Sequence, residues 1–376
     1  MNTVTIFSYH LYFQRRRGSM HWICDSLRRA GWHVRFITCD FSLITRLKGD
    51  RRTEFGDIRG VNQLDRIDDS LSVGVVSTPW HPVGSGQGVL HRMASALTSN
   101  YPWTGASVVR AFAHGSDLVI VESCGGLFFL DDIRAVTACP VIYRVSDNLA
   151  VVRPVPGLLE AQRKAVATVD AVSVASEHLA RTLGAGANLR FDPMGLDKAQ
   201  FDAPSASPYA HDGRVKVVIS GSSGLDSQAL DIAATLRPHW DFIQFGEARD
   251  IPVRDNIIRM GERPFQELVP WVKHADIGFA PYVAKPGFEY QAEHSNRLLQ
   301  YTYCALPSLV PAALESARRP HFIGYETAHP ESIERALCRA QSFDRTAVPV
   351  SSVLDWDQLA HRLASVAQPP SLRKTA

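Results

Sequence analysis

Short apolar runs of strand length alternate along the chain with longer amphipathic stretches, the pattern of parallel strands joined by crossover helices. In the first half, Thr3–Ser8, Val34–Thr38, Leu118–Glu122, Val141–Val145 and Ala171–Ala175 predict strands, and Met20–Ala30 predicts one of the intervening helices. A second series follows at Lys216–Ser220, Asp241–Gly246, Ile257–Met260, Ile277–Ala280 and Pro307–Val310. Between them Phe201–Arg214 is rich in Pro, Ser and Ala, lacks an apolar period and reads as a linker. The expected organisation is α/β, with a Rossmann-like doubly wound domain over 1–200, a linker over 201–214, a second such domain over 215–350, and a closing segment 351–376. That segment holds a helix at Trp356–Val366 and a fraying tail from Ala367. Ligands of open parallel sheets bind beyond the carboxyl ends of the strands, so two such domains predict a cleft between them lined by post-strand loops.

With 376 residues, 45% of them hydrophobic and 21% charged, the chain has the balance of a globular protein with two cores and excludes a disordered or low-complexity one. A formal net charge of +2 makes no global case for nucleic acid. The six cysteines are scattered and offer neither Cys-x-x-Cys nor a histidine partner for zinc. The opening MNTVTIFSYH lacks a charged region followed by an apolar one, so reduced thiols and a cytosolic location are expected. No apolar stretch reaches the roughly 20 residues that span a bilayer.

Chemistry is sought in the post-strand loops. The strand VIYRV runs into Ser146-Asp147-Asn148, which puts an acid where a general base can meet an acceptor hydroxyl; the same residue types also cap helices. Glu122, before Gly125-Gly126, is a possible supporting acid or a structural acceptor. In the second series Ser220-Gly221-Ser222-Ser223-Gly224 lets backbone approach a phosphate, although neither a P-loop nor the three-glycine dinucleotide fingerprint is present. Glu262 offers an acceptor for ribose or a base edge, Tyr282 a stacking face, and Arg297 a cation for diphosphate or a sugar carboxylate.

Ten basic residues fall before position 53, among them Arg15, Arg16 and Arg17, interleaved with aromatics including Tyr12, Phe13 and Trp22. This clustering suits an anionic membrane surface or a polyanionic acceptor, with nucleic acid as a rival and a plain solvated face as the alternative.

The stretches MHWICDSL, LITRLKGDRR, VIYRVSDNLA, MGLD, MGERPFQELVPWVKHADIGFAPY and HSNRLLQYTYCALPSLVP resemble, in order, the GumK-like bacterial glucuronosyltransferases of glycosyltransferase family 70, which act in xanthan assembly. The resemblance runs from about Ser8 to Pro311. It implies a GT-B fold with two Rossmann-like domains facing a cleft, acceptor on the first and UDP-sugar on the second, and a final helix returning to the first domain. It further implies an inverting reaction without metal or other cofactor, with Asp147, in Arg144-Val145-Ser146-Asp147, as the general base. The family's nucleotide-site Glu, Tyr and Gln fall on Glu262, Tyr282 and Gln300, and its lysine near the diphosphate falls on Arg297. Arg263 and Asn296 stand where the family has methionines, and Gly221, Ser222 and Ser295 complete the expected nucleotide-sugar site.

The function so implied is transfer of glucuronic acid from UDP-glucuronate to a polyprenyl-diphosphate-linked oligosaccharide in exopolysaccharide synthesis, at the cytoplasmic face of a bacterial inner membrane, by a peripheral protein. Another UDP-sugar on the same scaffold is the nearest rival. A nucleotide-sugar or lipid-glycan binding protein without turnover is a rival of a different class.

Overall fold

Strands that read as unbroken apolar runs are those buried on both faces by crossover helices, and they assemble here into two parallel sheets. The computed structural model describes residues 1–14, 17–43, 58–82, 89–152, 155, 157–184, 186, 188–222, 224–247, 250–283, 287 and 289–368. Two units result, one of Met1–Gly195 with Trp356–Ala376 and one of Leu196–Asp355.

The first unit contains β1 (Thr3–Ser8), β2 (His33–Ser42), β3 (Asp65–Asp68), β4 (Leu71–Thr78), β5 (Leu118–Glu122), β6 (Val141–Val145), β7 (Ala171–Val174) and β8 (Leu189–Phe191). They lie in the order β3-β4-β2-β1-β5-β6-β7-β8, with only β3 antiparallel to its neighbour among the described strands. The order reverses direction at β1, so the carboxyl ends of β1 and its partner β5 form the switch point where such sheets take ligands. β3 and β4 escape the sequence reading. The first, DRID, has no apolar face, and β4 is interrupted by Gly74, where an added Cβ would lie 3.0 Å from both Ile37 and Phe112.

The helix Ser19–Arg29 buries Met20, Ile23, Cys24 and Leu27, an i, i+3, i+4, i+7 stripe. The helix Trp356–Ala364 brings Leu359, Ala360 and Leu363 into the core of the same unit. There Trp356 stacks on Trp22 with centroids 6.2 Å apart, and Arg29 pairs with Asp357 at 2.6 Å. A Cβ at Gly195 would fall 2.7 Å from the Trp356 ring, so glycine is required where this indole lies on the chain.

The second unit holds β10 (Lys216–Ile219), β11 (Asp241–Phe245), β12 (Ile257–Gly261), β13 (Ile277–Phe279), β14 (Ser308–Pro311) and β15 (Phe322–Tyr325), all parallel, in the order β12-β11-β10-β13-β14-β15. A short pairing of β9 (Gly195–Leu196) with β16 (Leu354–Asp355) marks the two places where the chain passes from unit to unit. The segment 201–214, read as a linker, therefore lies inside the second unit. Phe201 is buried there against Phe265 and Tyr303, and the Tyr209 hydroxyl donates to the carbonyl of Trp271 at 2.6 Å. Its Pro- and Ser-rich composition reports irregular backbone, while two aromatic anchors fix it to the core. Likewise 351–355 stay with the second unit, and only from Trp356 does the chain belong to the first.

All six cysteines are free thiols. Among the described residues, no helix is long and apolar enough to cross a membrane.

Among the described residues, each unit buries one histidine that burial keeps neutral. His21 Nδ1 accepts from the amide of Gly18 at 3.0 Å while Nε2 lies 3.0 Å from the carbonyl of Leu11, and burial holds its pKa down at about 4. His321, 2.9 Å from the Thr302 hydroxyl, is likewise lowered by burial to about 4. Because the folded pKa lies below the unfolded one, each contributes stability that is complete above about pH 6.5 and is lost as pH falls toward 4, on the order of 3 kcal/mol apiece. Thermal melts from pH 7 to pH 4 should show a steep loss of stability in both units. In His21→Gln that slope should shrink for the first unit alone; an unchanged slope would remove His21 as a cause.

Candidate functional site

In the first unit a bound carboxylate organises the switch point. Glu122 ends β5 and is 4% exposed. Its Oε2 accepts from the Ser8 hydroxyl at 2.6 Å and the Tyr9 amide at 3.3 Å, and its Oε1 accepts from the Ser146 hydroxyl at 3.0 Å. The ends of β1, β5 and β6 are thereby tied together. Glu122 thus accepts three hydrogen bonds, as the structural reading of this residue requires.

Asp147 follows Ser146 at the end of β6 and is half-buried. A short helix, Leu149–Val152, begins just after it; there Asn148 Oδ1 accepts from the amide of Ala150 at 3.2 Å. Arg144 of the same strand is wholly buried and holds Ser173 Oγ at 2.8 Å and the carbonyl of Asp192 at 2.6 Å. Burial pulls its pKa down to about 10, against the opposing pull of Asp192. This arginine therefore joins β6 to β7 and to the segment after β8, beneath the loop that carries Asp147. On the other face, Tyr143 OH accepts from Gln162 Nε2 at 2.9 Å, and Ser123 Oγ takes the Ser146 amide at 3.3 Å.

In the second unit Arg297 is the centre. It sits in the helix Asn296–Tyr303, is 5% exposed, and lies 4.7 Å over the Tyr282 ring. Nε donates to the carbonyl of Ser220 at 3.0 Å and Nη2 to that of Gly221 at 2.8 Å. Its Nη1 is buried without a protein partner, as is Oε1 of Gln300. Ser295 caps the helix by accepting from the Leu298 amide, and Tyr282 donates to the same hydroxyl at 2.7 Å. The fold thus gathers Gly221, Tyr282, Ser295 and Arg297, with Gln300 one turn further along the same helix. Arg297 presents less of its fork than a free guanidinium, because one edge is fastened to backbone.

Glu262 is exposed just beyond β12, after Gly261 in the left-handed region at φ 68°. Arg263 folds back on its own chain, donating to the carbonyl of Met260 at 3.1 Å and pairing with Glu267, and Asn296 is exposed at the helix start. Neither is drawn into the Arg297 cluster by a bond. Ser222 packs on Gly246, a residue the sequence reading passed over although it ends a predicted strand: Gly246 has φ 87°, and a Cβ there would lie 2.9 Å from Ser222 Oγ. Tyr301 was also missed. Its hydroxyl accepts from the Ser220 amide and donates to the carbonyl of Val218, and the ring lies so close to Gly278 that a Cβ there would be 2.3 Å away.

Of the residues expected to face a membrane or acceptor, Arg15 and Arg16 lie outside the described residues. Arg17 pairs with Asp25 at 2.6 Å and lies over Trp22, which also carries Trp356. Tyr12 packs edge-on to Phe36 and Phe13, and Arg28 donates to its hydroxyl at 3.2 Å. Trp22 and Tyr12 are thus partly engaged in internal packing. Among the described residues, no group of three His, Cys, Asp or Glu is placed to hold a metal ion.

Comparison with known proteins gives similar proteins and a fold. The family model described as glucuronosyltransferase GumK, N-terminal domain, matches residues 6–175. A UDP-glucuronate:glycolipid 2-beta-glucuronosyltransferase of Xanthomonas campestris pv. campestris is 26% identical over 373 residues, 98% of this chain and 90% of that protein. Among solved structures, Anabaena HepE in complex with UDP and glucose superposes with a TM-score of 0.57 at 13% identity, covering 97% of this chain and 99% of that one. Arabidopsis thaliana UGT89C1 complexed with UDP gives 0.51 at 11% identity, covering 98% and 100%. At such identities the likeness is one of fold, the GT-B class of two Rossmann-like domains.

Gly246→Ala meets both a positive φ and the Ser222 hydroxyl, so it should lower the stability of the second unit by about 1–3 kcal/mol. It should also weaken UDP binding by about tenfold or more, if displaced Ser222 lines the nucleotide site. Calorimetric titration with UDP, with Ser222→Gly added to relieve the contact, checks this. Undiminished binding by Gly246→Ala would take Ser222 and Gly246 out of the site.

Proposed function

We propose that the chain, whose residues 6–175 match the model of the GumK N-terminal domain, transfers glucuronic acid from UDP-glucuronate to a polyprenyl-diphosphate-linked oligosaccharide, with inversion, in bacterial exopolysaccharide synthesis. The carrying observation is that the likeness to the Xanthomonas glucuronosyltransferase extends over 98% of the chain. It therefore includes both the unit that bears Asp147 and the unit that bears Arg297.

In this reading the second unit takes the donor. Tyr282, Ser295, Gln300 and the backbone at Gly221 lie around Arg297, whose remaining Nη1 is a donor for an anionic oxygen of the diphosphate or of the sugar carboxylate. Glu262, exposed just beyond β12, would meet ribose hydroxyls or a base edge. The acceptor hydroxyl attacks the anomeric carbon from the side opposite the leaving group. Its oxygen forms the new C–O bond, its proton passes to the Asp147 carboxylate, and the bond to the diphosphate oxygen breaks with its electron pair leaving on UDP. Arg297 favours that departure by meeting the charge that develops there. The proposal includes no metal or other cofactor.

One pair of observations favours a second reading, a different UDP-sugar on the same site. Arg263 and Asn296, which replace the family's methionines, are both polar and exposed. A panel of UDP-sugars offered with lipid-linked oligosaccharides, with products identified by mass spectrometry, decides between the two.

Asp147→Asn keeps shape and removes the basic carboxylate. Single-turnover transfer should fall by about 10²–10⁴-fold while donor affinity and the melting temperature hardly change. Near-normal transfer would remove Asp147 as the base, because asparagine is itself a good helix cap. The same assay in excess EDTA should proceed unhindered; activity abolished there and restored by one divalent ion would overturn the metal-free reading.

Peripheral binding to the cytoplasmic face of the inner membrane completes the proposal, supported by the basic and aromatic run before position 53. Charge reversal at Arg15 and Arg16 should weaken binding to anionic liposomes by about 1 kcal/mol per residue, and Arg17 by less, since Asp25 already holds it. Failure of the wild type to sediment with anionic liposomes at low salt would count against membrane attachment.

A further inference from the structure

We propose that Glu122 is a positioning residue, which aims Asp147 by gripping Ser146 and the loop after β1 with one carboxylate. The inference rests on the reading of Asp147 as the base. A carboxyl group that takes a proton from substrate must present an oxygen to it. In Glu122 one oxygen receives Ser8 Oγ at 2.6 Å and the Tyr9 amide at 3.3 Å, and the other receives Ser146 Oγ at 3.0 Å. All four groups are inside the protein or at its edge, with Ser8, Glu122 and Ser146 buried. Two hydroxyls and an amide converge on it, as suits a side chain that only accepts.

The grip reaches both flanks. On one side Ser8 Oγ, besides donating to Glu122, accepts from the amide of His10 at 3.1 Å, so the carboxylate fixes the first two residues of the post-β1 loop. On the other side Ser146 is held twice, by its hydroxyl on Glu122 and by its amide on Ser123 Oγ at 3.3 Å. Asp147 is the next residue. Fixing Ser146 by both its amide and its side chain limits where the carboxylate of the next residue can swing, and a displacement of about an ångström is enough to lower a rate by about 10²-fold. Glutamine at 122 weakens the grip: with its amide oxygen on Ser8 and Tyr9, its nitrogen faces Ser146 Oγ, which must then turn to accept, and a neutral amide holds these groups less strongly than a carboxylate does.

The test uses the full chain with UDP-glucuronate and a lipid-linked acceptor, comparing Glu122→Gln, Ser146→Ala, Ser146→Thr and Asp147→Asn. The measurements are single-turnover rate against pH, donor affinity by calorimetry, and amide hydrogen exchange over residues 145–149. Glu122→Gln and Ser146→Ala should transfer about 10–10²-fold more slowly with donor affinity within about twofold of wild type. Both should keep an acid limb in the pH profile, since the base remains, and both should exchange faster at 145–149. Ser146→Thr retains the hydroxyl and should recover most of the rate.

Loss of the acid limb in Glu122→Gln, as in Asp147→Asn, would make Glu122 itself the proton acceptor and overturn the proposal. Wild-type rates in Ser146→Ala would do the same. Should Glu122→Gln fail to fold, the Ser146 pair decides alone, since it leaves the Ser8 and Tyr9 bonds in place. A wild type that transfers no sugar sinks the functional reading; even then, unchanged exchange in Ser146→Ala would separately overturn the grip.

Discussion

A charged side chain buried at the end of a parallel strand has to be satisfied by the protein, because an ion cut off from water and left unpaired is unfavourable by several kcal/mol. Glu122 meets that requirement with both oxygens, and Arg144 and Arg297 meet it with two nitrogens each, by reaching across to neighbouring strand ends, while Arg144 Nε and Arg297 Nη1 stay without a protein partner. The loops at those ends are the places where a doubly wound sheet meets its ligands. The condition that keeps three ions buried is therefore also the condition that gives the ligand-facing loops a defined shape.

The two arginines show how the same side chain serves different ends. Arg144 directs Nη1 and Nη2 at protein atoms, to Ser173, the carbonyl of Asp192 and the sulfur of Met194, and so belongs to the scaffold under Asp147. Arg297 fastens one edge to two carbonyls and rests on Tyr282, but keeps Nη1 in a buried position without a protein partner. A lysine's three N–H groups radiate from one nitrogen, so it lacks the planar fork by which Arg297 holds two carbonyls along one edge and keeps a separate nitrogen directed elsewhere. One guanidinium thus supports the glycine loop and also keeps a buried N–H edge to spare.

Glycine has a matching role in the second unit. Gly221, Gly246 and Gly261 follow or end adjacent strands, and all have positive φ. Each lets the chain turn sharply at the sheet edge without a side chain between backbone and ligand. Gly278 is different. It sits within β13 and makes room for the Tyr301 ring, whose hydroxyl holds the strand ends at Val218 and Ser220.

Much of the architecture was legible in the chain itself. Apolar runs buried on both faces announce parallel strands because most positions on either side lose contact with water, and so β1, β5, β6, β10 and β11 stood out by composition although each also buries a polar or charged side chain. The ordered motifs from Ser8 to Pro311 carried the family resemblance and the candidate residues Asp147, Glu262, Tyr282, Arg297 and Gln300. β3 and the aromatic anchors of 201–214 did not stand out, because a polar edge strand and a Pro- and Ser-rich segment acquire their order only from what they touch. For the same reason sequence alone could not choose between the acid and the acceptor roles of Glu122. That choice depends on which donors surround the carboxylate, and Ser8, Tyr9 and Ser146 come from strands more than a hundred and about twenty positions away, brought within 3.3 Å only by the folding of the sheet.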